Sequence, residues 1–337
     1  MTNPPSSMTR RRALACLATL PMAFSAGCTG FGRSTTPSDL RMLIPNTPGG
    51  GYDVTARTAS RILEKHGLTG PIEKFNVIGG GGSVALARLV REAGNSALIG
   101  MVGVGVVGVA QVAEAPWGLS DATALARLVD EPEALVVRSG SPMPSLNGFL
   151  DAWRRGPQQV VVGVGSALGG PDHLFTVELA RAADIDTEAL NLVTFDGAGD
   201  LLAAVLDGTV DVGVAGAGEY IDQVDSGSLR ILAVSKAPDA RSRGVTAAYD
   251  APTLTESGIP LEFTNWRGFV APPGISDSAR NGLVDALTRM RDTDEWQAAM
   301  PLRGWTDSFL TGADFSEFIA TEDIRVRTTL AEFGITR

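Results

Sequence analysis

The chain has 337 residues, 44% of them hydrophobic and 20% charged, which provides for about two globular domains, each with its own core. Its 28 basic residues stand against 38 acidic ones, and this formal net charge of −10 argues against nucleic-acid binding, which needs a basic face. With only two histidines and two cysteines, a histidine-built zinc site is hard to assemble and a disulfide framework is not expected.

The N-terminus has the layout of an export signal. Arg10, Arg11 and Arg12 precede an apolar run from Ala13 to Phe24 that is too short to span a bilayer as a helix. Thr9-Arg10-Arg11 followed by Leu14 looks like a twin-arginine signal, and Ser25-Ala26-Gly27-Cys28 resembles a lipoprotein cleavage box. Residues 1–27 are therefore read as the signal and Cys28 as the lipidated first residue of the mature chain; a soluble exported protein cut nearby is the alternative. Residues 28–39 are small and polar and read as a tether. Cys16 leaves with the leader, so the stability of the mature protein has to come from core packing. Removing three arginines and no acids from 28 basic and 38 acidic residues leaves 25 and 38, a formal −13. A protein this acidic needs local dipoles to bind an anion.

From Leu40 short apolar strands alternate with helical segments, the pattern of an α/β fold. Expected strands are Arg41–Ile44, Ala97–Val102, Glu133–Val137, Val160–Val164, Val210–Val214, Leu229–Val234 and Trp266–Ala271. Helices are expected to begin near Asp53, Ser83, Pro171, Asp200 and Asp277. The last helix carries Phe315, Ile319, Val326, Leu330 and Phe333 on one apolar face, which is expected to pack in the core. Breaks rich in Pro, Gly and Ser at 138–145 and 252–260 suggest that the chain crosses into a second domain and returns. One domain would then comprise 40–138 with 266–337, and the inserted one 139–265. Trp266 and Phe269, on the return strand, are expected to pack at the hinge.

Three glycine-rich turns precede expected helix starts: Thr47-Pro48-Gly49-Gly50-Gly51, Gly79-Gly80-Gly81-Gly82-Ser83 and Gly165-Ser166-Ala167-Leu168-Gly169-Gly170. Glycine lets the backbone turn its N–H groups toward a ligand, and the helix start adds about half a positive charge. Three such ends facing one cleft would hold a polycarboxylate without any lysine. Phosphate is disfavoured, because the chain has no G-x-x-x-x-G-K-[ST] run. Gly103, Gly105 and Gly108 match G-x-G-x-x-G, with Asp130 downstream, but within a low-complexity Gly/Val run that is discounted as a nucleotide site. There is no G-x-S-x-G elbow. His66 is assigned to a helix C-terminus, where it complements the dipole. His173 either donates to a bound carboxylate or caps its own helix. Asp53 would repel a carboxylate ligand, so it is read as support for the Gly49–Gly51 amides or as a cap.

Taken together, PNTPGGGYDVTAR, FNVIGGGGS, VVGVGSALGGPDHL, VTFDGAGDLLAAVLDGTVDVGVAG, LRILAVS, APTLTESGIP and WRGFVAPPG resemble, in order and spacing, the motifs of the extracytoplasmic Bug-type solute-binding receptors of the tripartite tricarboxylate transporters. The likeness runs from about Leu40 to the C-terminus. It implies a two-lobed, type II-like periplasmic-binding-protein fold, each lobe a mainly parallel sheet flanked by helices. It also implies a receptor that closes over a small organic acid and presents it to membrane permease subunits, as a monomer without cofactor, metal or catalytic residues. Carried over onto this sequence, the ligand contacts are Thr47, Pro48, Gly49, Gly50 and Gly51, then Gly80, Gly81, Gly82 and Ser83, and from the inserted lobe Ser166 and the helix bearing His173. The family's Tyr-Lys-Gly loop is here Phe195-Asp196-Gly197, which removes a cation from the cleft. Asp196 is left to accept from a ligand hydroxyl or amine, or to cap the next helix. Rival readings are an exported enzyme and a receptor of the same fold that signals to a membrane sensor kinase.

Overall fold

The computed structural model describes residues 39–242 and 245–336; the export signal, Cys28 and nearly all of the tether lie outside the described residues. In chain order the strands are β1 (Arg41–Ile44), β2 (Glu73–Asn76), β3 (Leu98–Gly103), β4 (Thr123–Glu131), β5 (Glu133–Arg138), β6 (Val161–Val164), β7 (Asn191–Thr194), β8 (Val212–Gly216), β9 (Leu229–Val234), β10 (Asn265–Ala271) and β11 (Thr306–Thr311). The α-helices are α1 (Gly51–Lys65), α2 (Ser83–Arg91), α3 (Val104–Val112), α4 (Leu146–Arg155), α5 (Pro171–Ala182), α6 (Ala198–Asp207), α7 (Ile221–Asp225), α8 (Asp277–Arg291), α9 (Asp294–Leu302) and α10 (Gly312–Glu332).

The strands form two sheets, one ordered β11-β4-β10-β3-β1-β2 and the other β7-β6-β8-β5-β9. Both are mixed. β1 is parallel to β2 and β3, whereas β10 runs antiparallel to β3 and β4. In the second sheet β6 is parallel to β7 and β8, and β5 is antiparallel to β8 and β9. The expectation of mainly parallel sheets therefore describes only the βαβ part of each. Strands that arrive from the other sheet enter at the opposite end and have to run antiparallel.

The first passage between sheets is at Pro132, not after Arg138: Glu133–Arg138 pairs with β8 and β9 and belongs to the second sheet. Proline has no N–H to give to a ladder, so it ends one pairing cleanly before the next begins. The return passage joins β9 to β10. Ser235 ties the two passages together. Its Oγ accepts from the Glu133 N–H at 2.9 Å and donates to the Phe263 carbonyl at 2.7 Å, while its own N–H reaches the Glu133 carbonyl at 2.8 Å.

β3 and β10 are buried along their whole length, as strands covered by helices on both faces must be. Trp266 is fully buried and packs edge-on against Phe315 and Phe318, with centroids 6.0 and 5.2 Å away. Its indole N–H donates to Glu322 of α10 at 2.9 Å. One turn on, Arg325 pairs with Glu178 of α5 at 2.7 Å, so α10 joins the helices of the two sheets. The Gly/Val run forms α3, buried on nearly all sides. A Cβ at Gly108 would lie 1.9 Å from the Gly169 carbonyl oxygen, so the glycine is there to admit the 165–170 loop.

Candidate functional site

Loops at the carboxyl ends of β1, β2, β6, β7 and β8 face one another across a cavity of about 290 Å³. Ligands of open α/β sheets bind at this end of the strands. Of the residues expected at the site, Thr47, Gly50, Gly51, Gly80, Gly81, Ser166, Asp196 and Gly197 line the cavity. Gly49 instead faces an adjoining cavity of about 340 Å³, which shares Gly51, Glu219 and Arg267 with the first. Pro48, Gly82, Ser83 and His173 are not on the cavity wall.

Each loop has a local reason for its shape. Asp53 Oδ2 accepts from the Gly49 N–H at 2.9 Å, and its carboxylate is held by Arg57 at 2.8 Å and by Asn76 at 2.9 Å. It fixes the loop from behind. Gly79, Gly80, Gly81 and Gly82 all have positive φ, from +52° to +132°, a run that side-chain-bearing residues avoid. At the 165–170 loop, Ser166 Oγ accepts from the Asp172 N–H at 3.2 Å and so takes up a free donor at the start of α5. His173 is 3% exposed, with Nδ1 facing the Gly169 N–H at 3.4 Å. Burial lowers its pKa to about 4, leaving a neutral imidazole within the lobe.

The helices α1, α5 and α6 begin at the cavity, and none of their N-cap glycines offers a side-chain acceptor. The dipoles of all three and the first-turn N–H groups of α1 and α6 favour an anion there; in α5, Pro171 has no N–H and Ser166 already takes that of Asp172.

Sequence reasoning missed the floor of the cavity. Arg267, 3% exposed in the middle of β10, pairs with Glu131 and donates to Thr55 Oγ1 at 3.1 Å. Thr55 passes the contact on by donating to the Gly51 carbonyl at 2.9 Å. A Cβ at Gly51 would stand 2.3 Å from Arg267 Nη2, so α1 has to begin with glycine for the guanidinium to lie against it. Asp172 and Glu219 also line the cavity, and Glu133 is fully buried with its carboxyl beside that of Asp172. Burial first, and then the Asp172 charge, push the Glu133 carboxyl well above the usual carboxylate range. Burial raises Asp172 to about 6, against the opposing bonds from Glu133 and Ser166. The available signal was a lone arginine inside an apolar strand, NWRGFVA, which propensity alone does not favour.

Comparison with known proteins bears on this arrangement. A family model described as tripartite tricarboxylate transporter family receptor matches residues 56–334. Protein BugT of Bordetella pertussis is 28% identical over 303 residues, spanning 88% of this chain and 89% of BugT. MatC of Rhodopseudomonas palustris, solved with bound malate, superposes with a TM-score of 0.72 at 21% identity, over 86% of this chain and 98% of MatC. A second R. palustris protein, solved with adipate, gives 0.76 at 20% identity, over 88% of this chain and 97% of its own. At such identities the structural likeness speaks for the two-lobed fold.

Proposed function

Because the chain belongs to the tripartite tricarboxylate transporter receptor family, we propose that it captures a small carboxylic acid between its two lobes and delivers it to the permease subunits of such a transporter. It is a solute-binding protein and not an enzyme. One observation carries the ligand reading: glycine-rich loops from both sheets converge on a single cavity, with three helix starts opening onto it. Backbone N–H groups hold carboxylates through charge-assisted hydrogen bonds and need no lysine. The contacts we assign are the backbones of Thr47, Gly50, Gly51, Gly80, Gly81 and Gly197, together with the Ser166 hydroxyl. Asp53 supports them from behind the first loop.

The malate and adipate held by the two structural relatives are dicarboxylates. A dicarboxylate suits this cavity better than a tricarboxylate, because Asp196 stands where the family motif has a lysine. For localisation we propose export directed by residues 1–27, with Cys28 anchoring the mature protein by a lipid. No helix among the described residues is long and apolar enough to cross a membrane. The test is a thermal-shift screen of the protein against di- and tricarboxylates, amino acids and aromatic acids. Ligand at a hundred times its Kd adds about 2.7 kcal/mol, a rise of a few degrees in a chain of this size. Stabilisation by a carboxylate class is the expected result. Stabilisation by none of them contradicts the reading.

A further inference from the structure

Glu133, 0% exposed at the start of β5, lies with its carboxyl beside that of Asp172, 4% exposed at the start of α5. Both acids belong to the second lobe, and groups of the first lobe close over them. A Cβ at Gly105 of α3 would stand 2.9 Å from Tyr52 Oη and 2.9 Å from Pro171 Cδ, so the start of α1 meets the start of α5 there. Glu131, at the end of β4, sets its Oε1 2.9 Å from the Cβ position of Gly216 and 2.8 Å from that of Gly218, at the end of β8. The other charges in this region have a partner or water. Arg267, the cation whose field reaches Asp172, is already matched by Glu131. Asp130 is held by Arg127 and, at 3.6 Å, by Lys236. Arg303 lines the adjoining cavity, and Glu219 and Asp196 are exposed to cavity water. Tyr52 and Tyr220 are phenols that burial keeps neutral. The Glu133–Asp172 pair alone has neither a cation of its own nor free access to water.

Two carboxyls side by side and out of water share a proton, because like charges that close cannot both ionise. The dipole of α5 favours the anion at Asp172, which leaves Glu133 as the neutral partner that donates. Burial pushes both carboxyls up, Asp172 to about 6 and Glu133 well above the usual range. Asp172 lines the cavity, so parting the lobes lets water reach the pair and returns both acids toward their ordinary values. We propose that closure of the lobes takes up a proton into the Glu133–Asp172 pair, so that acid favours the closed arrangement and base the open one. Because the closed arrangement holds the proton more tightly, raising the pH through the pair's elevated range withdraws that preference. On the carboxylate-receptor reading, a ligand that closes the lobes then binds together with a proton and loses affinity as the pH rises.

Small-angle X-ray scattering of the ligand-free, full-length protein between about pH 5.5 and about pH 8.5 reads the lobes directly. The radius of gyration is expected to rise with pH as the lobes part. Glu133→Gln keeps a donor for Asp172 at every pH and should remove the rise. Asp172→Asn should do the same, and it retains the backbone N–H that Ser166 accepts. The second arm is titration with malate and with adipate between about pH 6.5 and about pH 8.5, where such acids stay ionised. Their Kd is expected to rise by up to about tenfold per pH unit, the effect of one proton, and to stay level in Glu133→Gln. A radius of gyration that does not change with pH, or that rises as much in both variants, overturns the proton coupling. Binding of either acid at a Kd independent of pH overturns it too and leaves the carboxylate reading standing. Failure of both acids to bind counts against the carboxylate reading, and the scattering then decides the coupling alone.

Discussion

Arg267 lies in the middle of β10, whose Trp266 and Phe269 are fully buried, with its guanidinium held by Glu131 and Thr55 and pressed against the first residue of α1. Removing one partner of a buried ion pair leaves the other charge uncompensated. Arg267→Met should therefore lower stability by roughly 3–5 kcal/mol, and adding Glu131→Leu should recover most of that loss. Urea unfolding of the single and double variants measures both numbers; a double variant no more stable than the single one sinks the pairing argument. His173 offers a second test at this scale. Its folded pKa of about 4 lies below the unfolded value of 6.5, so the unfolded chain binds more protons in that window. Stability from this group is complete above pH 6.5 and is lost as pH falls toward 4, by on the order of 3 kcal/mol. His173→Asn keeps an acceptor for the Gly169 N–H and removes the titration. The difference in melting temperature between the two proteins should thus shift in the variant's favour on acidification from pH 7 to 4.5, and a constant difference would refute the assignment. These residues also show the limit of local reading. The glycine loops were legible because left-handed backbone demands glycine and leaves visible runs. Arg267 and Glu131 are 136 positions apart, and nothing in either neighbourhood names the other.

At the scale of elements, the buried strands could be read from apolar runs, as β1 and β9 were to the residue. Three of the four edge strands could not; the fourth, β9, carries an apolar run. β2, β7 and β11 end their sheets, are only partly buried, and carry sequences such as EKFN and NLVT with no apolar run to mark them. β4 was missed for another reason: TALARLVDE has a helix-like spacing of apolar residues, and sheet pairing to β10 and β11 overrides it. The Gly/Val run was discounted as a nucleotide loop, and its role as the buried helix α3 depended on what packs against it. Gly108→Ala tests that role. On helix propensity alone the change gains up to about 1 kcal/mol. The Cβ, 1.9 Å from the Gly169 carbonyl oxygen, should reverse the sign, with a net loss of about 1–3 kcal/mol by urea unfolding. A stabilised variant would mean that the 165–170 loop yields freely.

Across the whole molecule, two passages of chain connect the sheets, and Ser235 bonds one to the other. Ser235→Ala leaves the Glu133 N–H and the Phe263 carbonyl without their partner in a buried place, which should lower the free energy of unfolding by about 1–3 kcal/mol. α10 adds a third connection through Arg325 and Glu178. A ligand that touches the loops of both sheets biases how the sheets stand to each other, and this difference is what a receptor presents to its partner. The account rests on an acid held by both sets of loops at once. Amide hydrogen exchange with and without the most stabilising carboxylate measures this directly. Slowed exchange is predicted together in residues 45–51 and 79–83 of the first lobe and in 165–170 and 196–199 of the second. Protection confined to the loops of one sheet, or to a surface away from the cavity, would contradict it.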